Sequence, residues 1–368
     1  MNNPERNDTM KKIGKQVLFI GTEENNPRNG EGAFIRLNDG GIMYAYTEYI
    51  GNSWFDHANA RITAVYSYDE GETWSEKHVL HEKKPSDMNL MSVSLMRMAN
   101  GDIGLFFLKK TMEEGLVNCK LHIIRSADEG KTWSDEICCV GRNGYFVTNN
   151  DRVIRLSDGR LMFPGNLHEP KNDSHEGIQS VCKECFFFVS DDDGYTWSVA
   201  GESEKCNFLE SGTNTGLHEN GIYQLEDGRI MAWSRTDLGT QVFSYSDNGG
   251  KTWSAPMQNV FFTSAVSPLQ IKDIGKYTIA VFNPTPEYLG RDRDMTWGRT
   301  PYVVAVSTDK AKTFGKVFYL EDDPKNGYCY PALIEVEGGF LVAYYHSNGT
   351  GVCLNSAKIT KVMFSEIE

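Results

Sequence analysis

The chain has 368 residues, 40% of them hydrophobic and 12% aromatic, with a formal net charge of −13 and an isoelectric point near 5.2. That balance fits a globular protein and argues against nucleic acid or an anionic membrane as a general partner, while leaving room for a small anion in a local basic pocket. No apolar run approaches the roughly 18 residues of a membrane span, no signal-peptide core opens the chain, and the eight cysteines show no disulfide-scaffold spacing, so a reduced, cytoplasmic protein is expected.

In chain order, residues 1–14, rich in Asn, Glu and Lys, read as a flexible arm, and Gln16-Val-Leu-Phe-Ile20 as a strand able to pair with the last unit of the fold. Hairpins follow. Asp-Gly or Asn-Gly between apolar runs is the strongest short hairpin cue. It occurs in Leu37-Asn-Asp-Gly-Gly-Ile-Met-Tyr44, Met98-Ala-Asn-Gly-Asp-Ile-Gly-Leu105, Leu156-Ser-Asp-Gly-Arg-Leu-Met-Phe163 and Leu225-Glu-Asp-Gly-Arg-Ile-Met-Ala232, with weaker turns at Ile274-Gly275 and Glu337-Gly338-Gly339.

A second motif interleaves with the hairpins. Ser-x-Asp-x-Gly-x-Thr-Trp begins at Ser67, Ser126, Ser190 and Ser246, the fourth copy carrying Asn248 for Asp, and a worn fifth copy runs from Ser307 to Phe314. An Asp side chain folds back onto backbone N–H groups of its own turn, Gly takes a conformation other residues avoid, and Trp anchors the corner in apolar packing. Six hairpins, five trailed by this corner, predict an all-β fold: a six-bladed β-propeller of four-stranded antiparallel blades, one domain over residues 15–368.

In such a fold, residues equally far ahead of each hairpin glycine ring the axis. Nine positions before Gly40, Gly101, Gly159, Gly228 and Gly339 stand Glu31, Ser92, Asn150, Glu219 and Tyr330, all polar. The returning strands bring Asn166, Arg235 and His346 to the same rim, beside the loop with Asp56 and His57 and the turn with Arg299. Asn149-Asn-Asp-Arg152 faces the mouth, making Asn150 and Arg152 candidates for substrate contact. Cys182-Lys-Glu-Cys185 has half of a zinc-site spacing, but no second pair is near and residues three apart on a strand face opposite sides. No metal or other cofactor is expected for the chemistry.

These residues carry a resemblance. The Asp corners, Glu219 sixteen residues before Arg235, and Phe282-Asn-Pro284 leading to Arg299 resemble the sialidase (neuraminidase) superfamily over essentially the whole chain. The resemblance implies three arginines that clamp the carboxylate of a sialic-acid-like sugar, a Tyr–Glu nucleophile pair and an acid/base Asp. Position by position these are Arg28, Arg235 and Arg299, then Tyr330 with Glu219, then Asp56; the residue pattern itself, apart from the resemblance, puts Glu31, His57 and His218 in the lining of the pocket. The first arginine departs from the family pattern, since Asn26-Pro-Arg-Asn-Gly-Glu-Gly32 replaces Tyr/Phe-Arg-Ile-Pro, and Arg36 is the rival to Arg28.

The residue types suit that chemistry. Guanidinium groups match a carboxylate bidentately, and a carboxylate nucleophile would meet the substrate anion head on, whereas a tyrosine avoids that repulsion. The reading is therefore a retaining exo-glycosidase that releases sialic acid or a related carboxylated sugar from a glycoconjugate. A non-catalytic glycan-binding propeller and a glycosidase for another acidic sugar are the alternatives.

Overall fold

Asn and Asp before glycine close hairpins where the sequence marks them. Gly40, Gly101, Gly159 and Gly228 have φ between 87° and 92°, a region free of steric cost only without a Cβ, and Gly40 N–H returns to the Leu37 carbonyl at 3.1 Å. The computed structural model describes residues 10–113, 115–170, 180–205, 213, 215–286, 296–349 and 354–368.

After β1 (Lys15–Ile20), a four-stranded antiparallel sheet forms from β2 (Asn29–Arg36), β3 (Ile42–Tyr49), β4 (Ala60–Ser67) and β5 (His78–His81). A ten-stranded sheet follows. It contains β6 (Asp87–Arg97), β7 (Ile103–Glu113), β8 (Leu116–Ser126) and β9 (Ile137–Cys138), then β10 (Tyr145–Val147), then β11 (Ile154–Arg155), β12 (Leu161–Pro170), β13 (Ser180–Ser190), β14 (Ser198–Val199) and β15 (Glu204–Lys205). β10 lies parallel to β8 and antiparallel to β12, so it bridges two meanders.

Two more four-stranded sheets are β16 (His218–Gln224), β17 (Ile230–Arg235), β18 (Thr240–Ser246) and β19 (Met257–Thr263), then β20 (Gln270–Ile274), β21 (Tyr277–Phe282), β22 (Tyr302–Ser307) and β23 (Lys316–Glu321). The last comprises β24 (Tyr328–Val336), β25 (Gly339–His346) and β26 (Ser356–Met363), with β1 on its outer edge, Ile20 opposite Ala357. The first and last strands of the chain thus share a sheet. A short helix, α1 (Phe364–Ile367), follows.

The expected arm is docked from Lys11 onward, because Ile13 finds an apolar site. Its side chain is buried among Ile274, Leu320 and Val362, while Ile13 N–H donates to the Tyr319 carbonyl at 2.9 Å and Tyr319 N–H to the Lys11 carbonyl at 3.0 Å. Residues 1–9 lie outside the described residues.

The core lies between neighbouring sheets. Phe34, Tyr44 and Val65 pack against Leu341, Ala343 and Ile359 of the last sheet, with the motif residue Trp74 at their edge. Each corner closes as its residue types require. In the first, Asp69 Oδ1 accepts from Thr73 N at 2.9 Å, Ser67 Oγ accepts from Gly71 N at 2.9 Å, and Trp74 Nε1 donates to the Gly71 carbonyl at 3.1 Å. Asn248 substitutes for Asp with Thr252 N at 3.0 Å from its Oδ1.

The fifth corner carries strain. Ala311 occupies the glycine position at φ 62°, where a Cβ costs about 1–2 kcal/mol. Ala311→Gly is expected to stabilise the protein by about 1 kcal/mol, less a contribution from greater freedom in the unfolded chain. The urea midpoint should rise; an unchanged or lower midpoint would mean that the corner accepts the methyl without penalty.

Candidate active site

One backbone feature recurs at the start of the inner strands and explains the nine-residue rule. Glu31, Ser92, Asp151, Glu219, Val266 and Tyr330 all have φ between 51° and 57°. Four of them coincide with register shifts, between Gly30/Ala33, Met91/Ser94, His218/Gly221 and Cys329/Ala332. A β-bulge inserts an extra residue and re-aims a side chain, and left-handed non-glycine residues persist only where surrounding structure over-determines them. Here the bulges turn Glu31, Ser92, Glu219 and Tyr330 into one cavity of about 370 Å³.

The third member of the series is displaced by one. Asp151, not Asn150, takes the left-handed turn, and it pairs with Lys272 at 2.9 Å. As a result Asn150 and Arg152, expected to contact substrate, do not line the cavity. Asn150 Nδ2 donates to the Gly32 carbonyl at 2.8 Å, and Arg152 Nη2 donates to the Leu269 carbonyl at 2.7 Å with its guanidinium 5.6 Å from the Trp233 ring centre. Both knit separate strands together.

The other candidates meet. Tyr330 donates its hydroxyl to Glu219 Oε1 at 2.8 Å, while Arg235 Nη1 donates to Glu219 Oε2 at 2.5 Å and lies 3.4 Å from the Tyr330 hydroxyl. Arg299 holds its guanidinium 5.7 Å from the Tyr330 ring centre and 5.1 Å from that of Trp297. Arg28, fully buried, donates Nη1 to Asp56 Oδ1 at 2.6 Å, Nη2 to Glu31 Oε1 at 2.6 Å and Nε to the Tyr345 hydroxyl at 2.8 Å. Arg36 lies elsewhere, forked onto Glu70 with bonds of 2.6 and 2.9 Å. The cavity therefore holds Arg28, Arg235 and Arg299, contributed by three sheets or their connections.

The charges are unevenly balanced. Burial opposes ionisation of Glu219, but Arg235, His218 and Arg299 overcome it and hold its carboxyl down at about 2. Burial and the neighbouring Glu219 push the Tyr330 phenol well above its usual range, against the pull of Arg235 and Arg299. Asp56, exposed at the cavity mouth, is held well below the usual carboxylate range by Arg28 and Lys110, against the partial desolvation of its site. Burial raises Glu31, Arg28 opposing it, and burial lowers His168 to about 4.

His57 and His218 also line the cavity, as the sequence suggested, whereas Asn166 and His346 do not. Asn166 Nδ2 turns to Cys185 Sγ at 3.0 Å and the Leu217 carbonyl at 3.1 Å. The Cys182 and Cys185 thiols do not face opposite sides: their sulfurs lie 3.9 Å apart, because the ladder slips between Leu167 and His168.

Sequence reasoning missed Lys110, Tyr145, His168 and Trp297, all in the lining. β10, which carries Tyr145, stands outside the repeat. Lys110 lies nine residues past its hairpin glycine, two further than Asn166, Arg235 and His346 stand past theirs, and reaches the cavity on a β7 that is 11 residues long.

Corners of the Ser-x-Asp-x-Gly-x-Thr-Trp type on successive antiparallel sheets, around a cavity holding three arginines and a Tyr–Glu pair, define a class of repeat-built all-β protein. The chain belongs to the BNR repeat-like domain family, whose profile matches residues 63–343, and groups with the sialidases. It is 24% identical over 259 residues to a sialidase of Bacteroides fragilis (strain YCH46), covering 66% of this chain and 42% of that protein. It is 28% identical over 262 residues to an anhydrosialidase of Macrobdella decora, covering 65% of this chain and 31% of that protein. The chain thus spans less than half the length of these two relatives. The fold is shared with the intramolecular trans-sialidase of Ruminococcus gnavus, at a TM-score of 0.71 and 14% identity over 97% of this chain and 99% of that one. A Dyadobacter fermentans protein of unknown function matches at a TM-score of 0.70 and 16% identity over 95% and 99% of the two chains.

Proposed function

We propose that the chain is a six-bladed propeller enzyme, a retaining exo-glycosidase that removes a terminal α-linked sialic acid or a related carboxylated sugar from a glycoconjugate. The blade count rests on six meanders, two of them fused through β10. The observation that carries the reaction is the Tyr330–Glu219–Arg235 contact inside a cavity that Arg28 and Arg299 also enter.

In this reading the substrate carboxylate docks on the three arginines, each charge-assisted bond contributing about 1.5–3 kcal/mol. Docking also changes the proton balance. In the free cavity Glu219 is a weak base because Arg235 stabilises its charge. A substrate anion shares that cation, so Glu219 becomes more basic as the phenol proton must move to it. Tyr330 Oη then attacks the anomeric carbon. The same anion competes with Asp56 for Arg28, and the released carboxyl gains the proton it gives to the leaving oxygen, assistance of roughly 10²- to 10⁴-fold. Water, activated by Asp56, later attacks the anomeric carbon of the tyrosyl glycoside on the face the leaving group vacated, Glu219 returns the proton to the departing Tyr330 oxygen, and two inversions give net retention.

An aryl α-glycoside of N-acetylneuraminic acid tests the reading. Release of the phenol, with the α-anomer appearing first by proton NMR, is the expected result. Binding without phenol release would instead leave a glycan-binding propeller.

A further inference from the structure

Lys110 is a buried cation that the reaction described above does not use. It sits on β7, 2% exposed, and its Nζ donates to the main-chain carbonyl of Asp56 at 2.6 Å. Asn89 on β6 donates its Nδ2 to the same carbonyl at 2.5 Å. Asp56 itself lies on the loop between β3 and β4, which belongs to a different sheet. Other ties on that loop are Arg28 Nη1 on the Trp54 carbonyl at 3.2 Å and the turn bond from Ala58 N to the Phe55 carbonyl at 2.8 Å.

Two donors on one carbonyl fix the backbone of Asp56 from the neighbouring sheet. A neutral donor is enough to satisfy a carbonyl, and burying an ammonium group is costly unless a charge answers it. Lys110 acts on the carboxylate of the same residue electrostatically, second to Arg28, which makes the direct ion pair with it. The other titratable groups that interact with Asp56 are His57, Glu31, Tyr49, Tyr145 and Cys119. Tyr145 also supports the ammonium group, its ring centre 5.6 Å from Nζ.

We infer that Lys110 is a positioning residue for the acid–base step: it anchors the Asp56 main chain so that the carboxyl meets the leaving oxygen, and its charge eases departure of the proton. The inference rests on the glycosidase reading and on Asp56 as its acid.

Leaving groups separate this role from a structural one. A nitrophenol departs with little protonation, whereas a sugar hydroxyl needs the proton, so only the second reaction depends strongly on the placement of Asp56. The experiment compares kcat/KM of wild type, Lys110→Met, Lys110→Gln and Lys110→Arg on a nitrophenyl sialoside and on sialyllactose across pH. Met is expected to lose about 100-fold on sialyllactose and less than about 10-fold on the aryl substrate, and Gln, which keeps a donor for the carbonyl but no charge, a smaller loss with the same preference for sialyllactose. A cation stabilises a carboxylate, so its removal keeps the proton on Asp56 to higher pH, and the descending limb of the profile should move upward. Lys110→Arg should keep the limb in place.

Equal losses on both substrates with an unmoved limb would overturn the inference. If Lys110→Met fails to fold, Lys110→Gln decides, since it offers the carbonyl a neutral donor. A wild-type protein inert toward both substrates would overturn the glycosidase reading itself, a result distinct from equal losses in the variants.

Discussion

Tyr330→Phe should lower kcat by about 10³-fold or more, the scale on which loss of a nucleophile acts, with KM changed only a few-fold. The phenylalanine keeps the ring that lies edge-on to Tyr345, 5.8 Å between centres, and near Arg299, so packing and the arginine set survive. What disappears is the oxygen 2.8 Å from Glu219. Glu219 remains paired with Arg235, so no buried charge is stranded, and the variant should melt close to wild type. Turnover near the wild-type rate would remove Tyr330 from the mechanism.

Arg299→Ala should act on capture instead. Losing one charge-assisted bond of about 1.5–3 kcal/mol corresponds to about a 10- to 150-fold rise in KM at 1.36 kcal/mol per decade, with a smaller fall in kcat. Its guanidinium enters the cavity between Trp297 and Tyr330. Arg36→Ala is the control, since Arg36 forks onto Glu70 outside the cavity, and its KM should match wild type. An unchanged KM in Arg299→Ala would count against a carboxylate clamp.

The sheets were legible because local chemistry specifies them. Asp-Gly turns and the Ser/Asp/Thr hydrogen bonds of the corners are made within a few residues, so Asp69–Thr73 and Gly40–Leu37 could be read directly. The candidate site was legible where a constant offset survived folding, as for Glu31, Ser92, Glu219 and Tyr330, whose left-handed bulges sit at the same distance from each hairpin. The offset failed where the strand began one residue later, at Asp151, and that single slip turned Asn150 and Arg152 away from the cavity. Val266 obeys the same offset from Gly275 but is apolar and does not line the cavity. Lys110 and Tyr145 depend on the length of β7 and on the inserted β10, and no short-range signal encodes either. The closeness of the Cys182 and Cys185 thiols has the same origin, since strand alternation does not encode a slip in the ladder.

In the proposed reaction Tyr330, relieved of its proton by Glu219, forms a bond to the anomeric carbon. A 2,3-difluoro derivative of the sugar acid slows breakdown of such an intermediate, and peptide mass spectrometry then locates the attachment. One sugar residue should be added to the peptide that carries Tyr330, with no addition in Tyr330→Phe. Label on any other residue, or no label on a protein that turns over the aryl glycoside, would contradict it.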